Sequence, residues 1–258
     1  MVHDGWMPAS SIDFGYPWWL SYGHLAVLVP ALGLLILGRA RGWAVWPMAL
    51  FGVVAAWAAA ALFVTRSFEV NGVAKLPVAN FLASGAGRVL DIGAGTGRSS
   101  IMVLAARPQA TLVALDLFAD SFKGHFGDQG SPRDRLMANL KAAGVDQRAS
   151  IVAADMRKLP FEDASFDAIV SAYAVDHVGR EGASQTLAEA KRVVKPGGEF
   201  LLILVGNDRW TKFAFGPMLT HGGTRGPGWW RQRAGDAGFQ VLEEGTAPAS
   251  LFFLLRRG

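Results

Sequence analysis

The chain has no cysteine among its 258 residues, and charged residues make up only 18% of it. The absence of cysteine excludes disulfide bonds, thiolate metal ligands and a cysteine nucleophile, so any catalysis must use other groups. Hydrophobic residues reach 51%, and so small a share of charge lies outside the usual balance of a soluble domain. Something other than water must therefore solvate part of this chain.

Charged residues are rarest in the first part of the chain. No Asp, Glu, Lys or Arg occurs over residues 14–38 or over residues 42–65. Each run exceeds the roughly 20 apolar residues that span a hydrocarbon core. We therefore predict a membrane anchor over residues 1–66, with two transmembrane helices at about 18–38 and 43–65.

Aromatic and small residues within this anchor predict how the two helices sit. Tryptophan and tyrosine prefer the membrane interface. They occur at both ends of the hairpin, as Trp18, Trp19 and Tyr22 at one end and as Trp43 and Trp46 at the other. Small residues allow close packing between membrane helices. They recur every four residues as Gly52, Ala56 and Ala60, which predicts that the first helix packs on this face.

The basic residues bear on the orientation of the hairpin, because cytoplasmic loops carry an excess of Lys and Arg. Arg39 and Arg41 favour a cytoplasmic turn, whereas Arg66 and Lys75 favour a cytoplasmic position for the residues that follow. We predict an integral, two-pass membrane protein whose second domain, residues 67–258, is cytoplasmic. A cleaved signal peptide and a hairpin that enters only one leaflet are the alternatives.

The second domain contains a glycine turn within residues 88–100, between a buried apolar strand and a helix start. Gly93, Gly95 and Gly97 allow the backbone to approach a ligand where a Cβ would clash. Arg98 stands where a dinucleotide-binding motif needs its third glycine. The pattern therefore predicts a nucleotide-type cofactor other than NAD.

An acidic residue, Asp91, precedes the glycine turn by two positions. This pairing resembles the first motif of the class I S-adenosylmethionine-dependent methyltransferases. Further segments match that family in order. They are a strand ending at Asp116, a strand ending at Asp155-Met156, a strand over 166–172, and a Pro-Gly-Gly turn with a strand over 195–203. The resemblance covers roughly residues 87–204, continues loosely through 237–241 and 251–255, and is nearest in pattern to the quinone-biosynthesis methyltransferases.

This resemblance implies an α/β fold with a doubly wound, mostly parallel seven-stranded Rossmann-like sheet. In this chain the two predicted transmembrane helices precede that sheet. The resemblance also implies S-adenosylmethionine as the cofactor. Asp116 is then the ribose ligand, Leu117 packs on the adenine, and Asp155 contacts the adenine amino group. The implied cofactor-binding set is Asp91, Gly93, Ala94, Gly95, Gly97, Asp116, Leu117, Asp155, Met156 and Ser171.

Methyl transfer needs an acceptor atom aligned with the methyl carbon and, for some acceptors, a group that removes a proton. His177 follows the fourth strand and is our candidate general base, because imidazole titrates near neutral pH. Bonding of His177 to a helix end or a carbonyl is the structural alternative. Tyr173 is a second catalytic candidate, and Asp176 is placed to orient His177. His125, Trp210 and His221 complete the set as candidate substrate residues. The histidines lack a local metal-ligand spacing, so no metal site is predicted.

We therefore predict a membrane-anchored methyltransferase whose acceptor is a lipophilic or membrane-associated small molecule, with membrane lipid as a further partner. No nucleic-acid partner is predicted, because the basic pairs Arg157-Lys158 and Lys191-Arg192 are short and isolated. Two alternatives stay open. In one, the acceptor is water-soluble and the hairpin serves only as an anchor or as the contact in a homo-oligomer. In the other, the chain is a non-catalytic scaffold that binds S-adenosylmethionine.

Overall fold

The computed structural model describes residues 12–69, 71–119, 131–206, 208–216, 225–247 and 249–258. These residues form two compact units. The first unit contains residues 12–15 and the described parts of 71–206 and 225–258, and the second contains 16–69 and 208–216.

A single sheet of seven strands organises the first unit. The strands are β1 (Ala86–Ile92), β2 (Gln109–Asp116), β3 (Ala149–Ala153), β4 (Phe166–Ala172), β5 (Val194–Val205), β6 (Phe239–Ala247) and β7 (Ser250–Arg257). Their order is β3-β2-β1-β4-β5-β7-β6, and β7 runs antiparallel to both of its neighbours. The predicted mostly parallel, seven-stranded sheet is confirmed.

Helices flank this sheet and bury its apolar strands. They are α4 (Arg98–Ala106), α5 (Pro132–Ala142), α6 (Gly179–Val193) and α8 (Pro227–Asp236). Helix α7 (Arg209–Phe215) belongs to the second unit instead. Leu90, Phe200 and Phe253 lie in the core and are almost completely buried. The inner strands read as continuous apolar runs because both of their faces are covered.

The strand order reverses beside β1, which pairs with β2 on one side and with β4 on the other. In doubly wound sheets a ligand binds at such a switch point, outside the carboxyl ends of the strands. The glycine turn begins at Gly93, directly after β1, and Tyr173 directly follows β4. The fold therefore brings these two sequence segments to the ligand edge of the sheet.

The second unit contains the apolar helices α1 (Trp19–Tyr22), α2 (Leu25–Arg41) and α3 (Val45–Ser67). Two stretches of 23 residues each, Trp19–Arg41 and Val45–Ser67, are long and apolar enough to cross a membrane, with mean hydropathies of 2.0 and 2.1. The turn between them is tight, because Gly42 adopts a left-handed conformation and the amide of Trp43 donates to the carbonyl of Gly38 at 2.9 Å.

The packing face of α3 differs from the predicted one. Its buried residues are Ala55, Ala58, Ala61 and Thr65, whereas Ala56 and Ala60 are exposed. The prediction of a face through Gly52, Ala56 and Ala60 is wrong. Alanine surrounds most of this helix, so spacing alone does not select a face. Thr65 favours the observed one, since its hydroxyl donates to the carbonyl of Leu62 at 3.0 Å and lies 3.5 Å from that of Ser21.

Candidate active site

The glycine turn is packed tightly against residues from two other segments. A Cβ added to Gly93 would lie 2.2 Å from the Cβ of Ala174, which follows β4, and 3.2 Å from the Cε of Met156, which follows β3. At the other end of the turn, a Cβ on Gly97 would lie 2.6 Å from Leu136 of α5. Gly93, Gly95 and Gly97 all have positive φ angles. The turn therefore requires glycine for both its backbone conformation and its close contacts.

Asp116 at the end of β2 holds this turn from the neighbouring strand. Its Oδ2 accepts the amide of Gly95 at 2.9 Å, and its Oδ1 accepts the amide of Phe118 at 2.9 Å. The amides of Gly93 and Ala94 donate to the carbonyl of Leu115 at 2.8 and 3.0 Å. Each carboxylate oxygen can accept a second hydrogen bond, so Asp116 keeps acceptor capacity for ribose hydroxyls.

Asp91 lies inside the sheet behind the turn and is fully buried. Burial raises its pKa from 3.8 to about 7, while hydrogen bonds from the hydroxyls of Ser100 and Ser99 act in the opposite direction. The Ser100 hydroxyl donates at 2.5 Å and the Ser99 hydroxyl at 2.7 Å, both to Oδ2. Because both serines belong to the first turn of α4, Asp91 fixes the helix that starts at the glycine turn.

The residues predicted for the adenine lie at the adjacent strand ends. Leu117 is about half exposed, directly after Asp116. The side chain of Asp155 is bound by Arg157, whose guanidinium donates to both carboxylate oxygens and comes within 2.6 Å of Oδ2. This hydrogen bond lowers the pKa of Asp155. If the adenine amino group donates to Asp155, the carboxylate would therefore accept hydrogen bonds from both the adenine and Arg157.

Ser171 occupies a supporting position in β4. It is fully buried, and its hydroxyl donates to the carbonyl of Ile92 at 2.7 Å. Because Ile92 is the last residue of β1, this bond secures the strand end from which the glycine turn starts. A direct contact of the Ser171 hydroxyl with the cofactor would require that bond to break.

The three predicted catalytic residues follow β4 within five positions. Tyr173 has a positive φ of 55°, and its hydroxyl lies 2.5 Å from the Oγ of Ser250. Asp176 is nearly buried, and its Oδ2 accepts the amide of Val205 at 3.2 Å. The Nε2 of His177 lies 4.0 Å from the Oδ1 of Asp176, and the His177 side chain is 41% exposed. The arrangement holds Asp176 in place beside an imidazole that solvent and a ligand can reach.

The structure places only one of the three candidate substrate residues. His125 and His221 lie outside the residues that the structure describes. Trp210 is exposed and belongs to α7, in the second unit.

Comparison with known proteins gives the family of this segment. Residues 90–202 match the family described as methyltransferase domain. The sterol 4-C-methyltransferase of Caenorhabditis elegans is 32% identical over 115 residues, which cover 44% of this chain and 29% of that protein. The ubiquinone/menaquinone biosynthesis C-methyltransferase UbiE of Bartonella tribocorum is 36% identical over 121 residues, which cover 46% and 42%. Over residues 90–202, this chain is therefore similar to methyltransferases.

The chain spans less than half the length of these two curated relatives. A solved O-methyltransferase family protein of Burkholderia thailandensis has the same fold, with a TM-score of 0.57 and 19% identity, covering 93% of this chain and 71% of that one. For the methyltransferase domain, the predicted enzyme class and the predicted cofactor, S-adenosylmethionine, are confirmed.

Sequence reasoning missed several residues that shape the methyltransferase domain around its glycine turn. Ala174 limits the space at Gly93, and no local pattern indicates that contact. Ser99 and Ser100 bond to Asp91. Two hydroxyl residues at the start of a helix, eight and nine positions after a buried acid, were a readable signal for that pairing, since such side chains bond to nearby groups at helix starts.

Proposed function

We propose that this chain is a membrane-anchored S-adenosylmethionine-dependent methyltransferase that methylates a lipophilic small molecule. We assign the anchor to residues 1–66 and the catalytic domain to residues 67–258, with residues 12–15 grouped with the first unit and residues 208–216 with the second. The observation that carries this proposal is the apolar surface of the hairpin. Ile36 of α2 is 73% exposed, and Phe63 of α3 is 76% exposed. Only 11% and 22% of the two candidate spans are buried, whereas a core helix of a soluble protein is mostly buried.

An apolar surface of this kind is costly in water, at about 25 cal/mol per Å², and a hydrocarbon core removes that cost. Trp18 is 64% exposed near the start of the first span, and Trp46 is 73% exposed near the start of the second. These positions suit the interfacial belts in which tryptophan is enriched. The guanidinium of Arg66 lies 4.8 Å from the centre of the Tyr22 ring, which adds a cation at one end of the hairpin.

Helix α7 supports a lipophilic acceptor. The chain leaves the ligand edge of the sheet at the end of β5 and enters α7, which belongs to the hairpin unit. The indole of Trp57 donates to the carbonyl of Phe213 at 3.2 Å, and the Nε2 of His24 lies 2.6 Å from the carbonyl of Ala214. Trp210 and Phe213 remain exposed on α7. Aromatic residues of this kind suit a segment at a membrane surface.

The names of the two curated relatives support the same acceptor class. One is a sterol methyltransferase and the other serves ubiquinone and menaquinone biosynthesis, and both are C-methyltransferases. We extend this chemistry to the present chain. The acceptor carbon forms a bond to the methyl carbon as the sulfur–methyl bond breaks, S-adenosylhomocysteine leaves, and the acceptor carbon then loses a proton. Such a reaction needs a base near the transferred methyl group.

The experiment that tests this proposal uses the full chain in liposomes with radiolabelled S-adenosylmethionine and, in separate reactions, a lipid extract and a water-soluble extract of the source cells. We expect the protein to resist extraction by alkaline carbonate and the label to pass into the organic phase. Transfer of label to water-soluble extract alone would favour a soluble acceptor. Cofactor binding without transfer to either extract would favour a scaffold, and release of the protein by carbonate would contradict the membrane anchor.

We propose His177 as the base and Asp176 as the residue that orients it. The Oδ1 of Asp176 is buried without a hydrogen-bond partner, and a small rotation would let it accept a bond from His177, 4.0 Å away. His177→Gln is expected to lower kcat by about 100-fold, because a general base contributes a factor of this order. Asp176→Asn is expected to lower kcat by roughly 10-fold, since it weakens orientation only.

The measurement is single-turnover methyl transfer at saturating S-adenosylmethionine, with calorimetric cofactor binding as the control. Both variants should bind the cofactor within about twofold of the parent, since neither residue contributes to the glycine turn. An unchanged kcat in His177→Gln would exclude this residue as the base. Tyr173→Phe would then be the next variant to test, because the Tyr173 hydroxyl lies at the same strand end.

A further inference from the structure

Residues 12–15, the first four residues that the structure describes, pack within the first unit. Phe14 is only 1% exposed. The amide of Asp13 donates to the Oδ1 of Asn139 at 2.9 Å, and the Nδ2 of Asn139 donates back to the carbonyl of Asp13 at 2.9 Å. This reciprocal pairing joins two residues 126 positions apart. Residues 12–15, called the clasp below, are therefore fixed by side-chain bonding as well as by burial.

The same asparagine reaches the glycine turn. Its Nδ2 also donates to the carbonyl of Thr96 at 2.9 Å, and the hydroxyl of Thr96 donates to the carbonyl of Phe14 at 2.9 Å. Thr96 stands between Gly95 and Gly97, and both Thr96 and Asn139 are at most 3% exposed. A closed set of hydrogen bonds, buried at Thr96 and part-buried at Asp13, thus joins the clasp, α5 and the glycine turn.

Helix α5 holds the turn at a second point through Leu136, one helical turn before Asn139. The side chain of Leu136 fills the space beside Gly97. Asp116 holds Gly95 at 2.9 Å from the neighbouring strand. Thr96 lies between these two fixed positions, and its own side chain and carbonyl bond to the clasp and to Asn139. Without those bonds, the central residue of the turn would lose its buried partners.

We propose that the clasp and Asn139 hold the glycine turn in its cofactor-binding conformation, so that cofactor affinity depends on residues 82 positions before the turn. This inference rests on the proposed function. A turn with three glycines at positive φ has many alternative conformations when unbound. If the turn is already ordered before the cofactor binds, affinity is higher, because little conformational entropy is lost on binding. Asn139 and Thr96 are positioning residues in this scheme.

The test measures S-adenosylmethionine affinity by calorimetry on the full chain in detergent, for the parent and for single variants. Phe14→Ala releases the clasp, Asn139→Ala removes the reciprocal bonds, and Thr96→Val removes only the bond to Phe14. We expect Kd to rise about 10-fold for the first two and about threefold for the third, in line with the loss of buried hydrogen bonds and packing. Phe14→Leu should restore Kd to within about threefold of the parent.

A matched control separates positioning from general stability. Phe239→Ala truncates another buried phenylalanine, at the start of β6, and should lower the unfolding temperature while leaving Kd within about twofold. At saturating cofactor, kcat of Phe14→Ala should match that of the parent, so that only KM for the cofactor changes. Parent-like Kd values in folded Asn139→Ala and Thr96→Val would contradict the proposal that the clasp and Asn139 hold the glycine turn. A parent protein that binds no S-adenosylmethionine would instead overturn the proposed function, and the clasp with it.

Discussion

Gly93→Ala is expected to abolish measurable S-adenosylmethionine binding. The new Cβ would lie 2.2 Å from the Cβ of Ala174, a distance that requires a backbone to move. Neither backbone moves easily, because Gly93 follows β1 and Ala174 follows β4, and the two strands are paired. The turn would also be strained at a φ of 75°. A displaced turn removes the close backbone approach that the cofactor needs.

The matched control is Gly85→Ala. Gly85 has a φ of 74°, almost the same as Gly93, but a Cβ there meets no atom within 4 Å. This variant carries the backbone strain alone, about 1–2 kcal/mol. We expect it to lower the unfolding temperature and to bind the cofactor within about twofold of the parent. The measurement is calorimetric binding of S-adenosylmethionine to both detergent-purified variants. Parent-like affinity in Gly93→Ala would mean that this turn is not the cofactor site.

The sheet and the glycine turn could be predicted because their causes are local. Buried parallel strands read as short apolar runs, and the run that ends at Asp116 matches the end of β2 to the residue. The position of Asp91 before the turn likewise follows from neighbours in sequence. The hydrogen bonds of the clasp have no such signal, since Asp13 and Asn139 are 126 positions apart. A single asparagine in a polar helix looks like an ordinary surface residue.

In the second unit, composition predicted the two long helices but not the third segment that packs with them. The length and hydropathy of the two runs predicted α2 and α3 well, although the first run begins with the short helix α1. Composition did not predict that residues 208–216 belong with the hairpin. Two side chains of the hairpin, His24 and Trp57, bond to carbonyls of α7. Such contacts join residues more than 150 positions apart, so no pattern along the chain indicates them.

Asp116→Ala is expected to weaken S-adenosylmethionine binding by about 1,000-fold. The change removes the acceptor for the amides of Gly95 and Phe118 and the proposed acceptor for two ribose hydroxyls. Hydrogen bonds to a charged group contribute about 1.5–3 kcal/mol each, so the loss of two or three of them corresponds to a change of this size. The affinity of Asp116→Asn for S-adenosylmethionine should lie between those of the parent and of Asp116→Ala. The control is Asp146→Ala, which removes an exposed carboxylate and should bind the cofactor as the parent does.

The Asp116 variants can also separate the two roles of this carboxylate. If Asp116 bonds to the ribose, a cofactor analogue without the 2′ and 3′ hydroxyls should bind the parent much more weakly than S-adenosylmethionine. In Asp116→Ala the two ligands should then bind almost equally, because the partner of those hydroxyls is already absent. If the analogue binds more weakly than S-adenosylmethionine by the same factor in the parent and in Asp116→Ala, then Asp116 acts only on the turn. In that case its bond to Gly95 at 2.9 Å would account for the whole effect, and the ribose contacts would have to come from other groups.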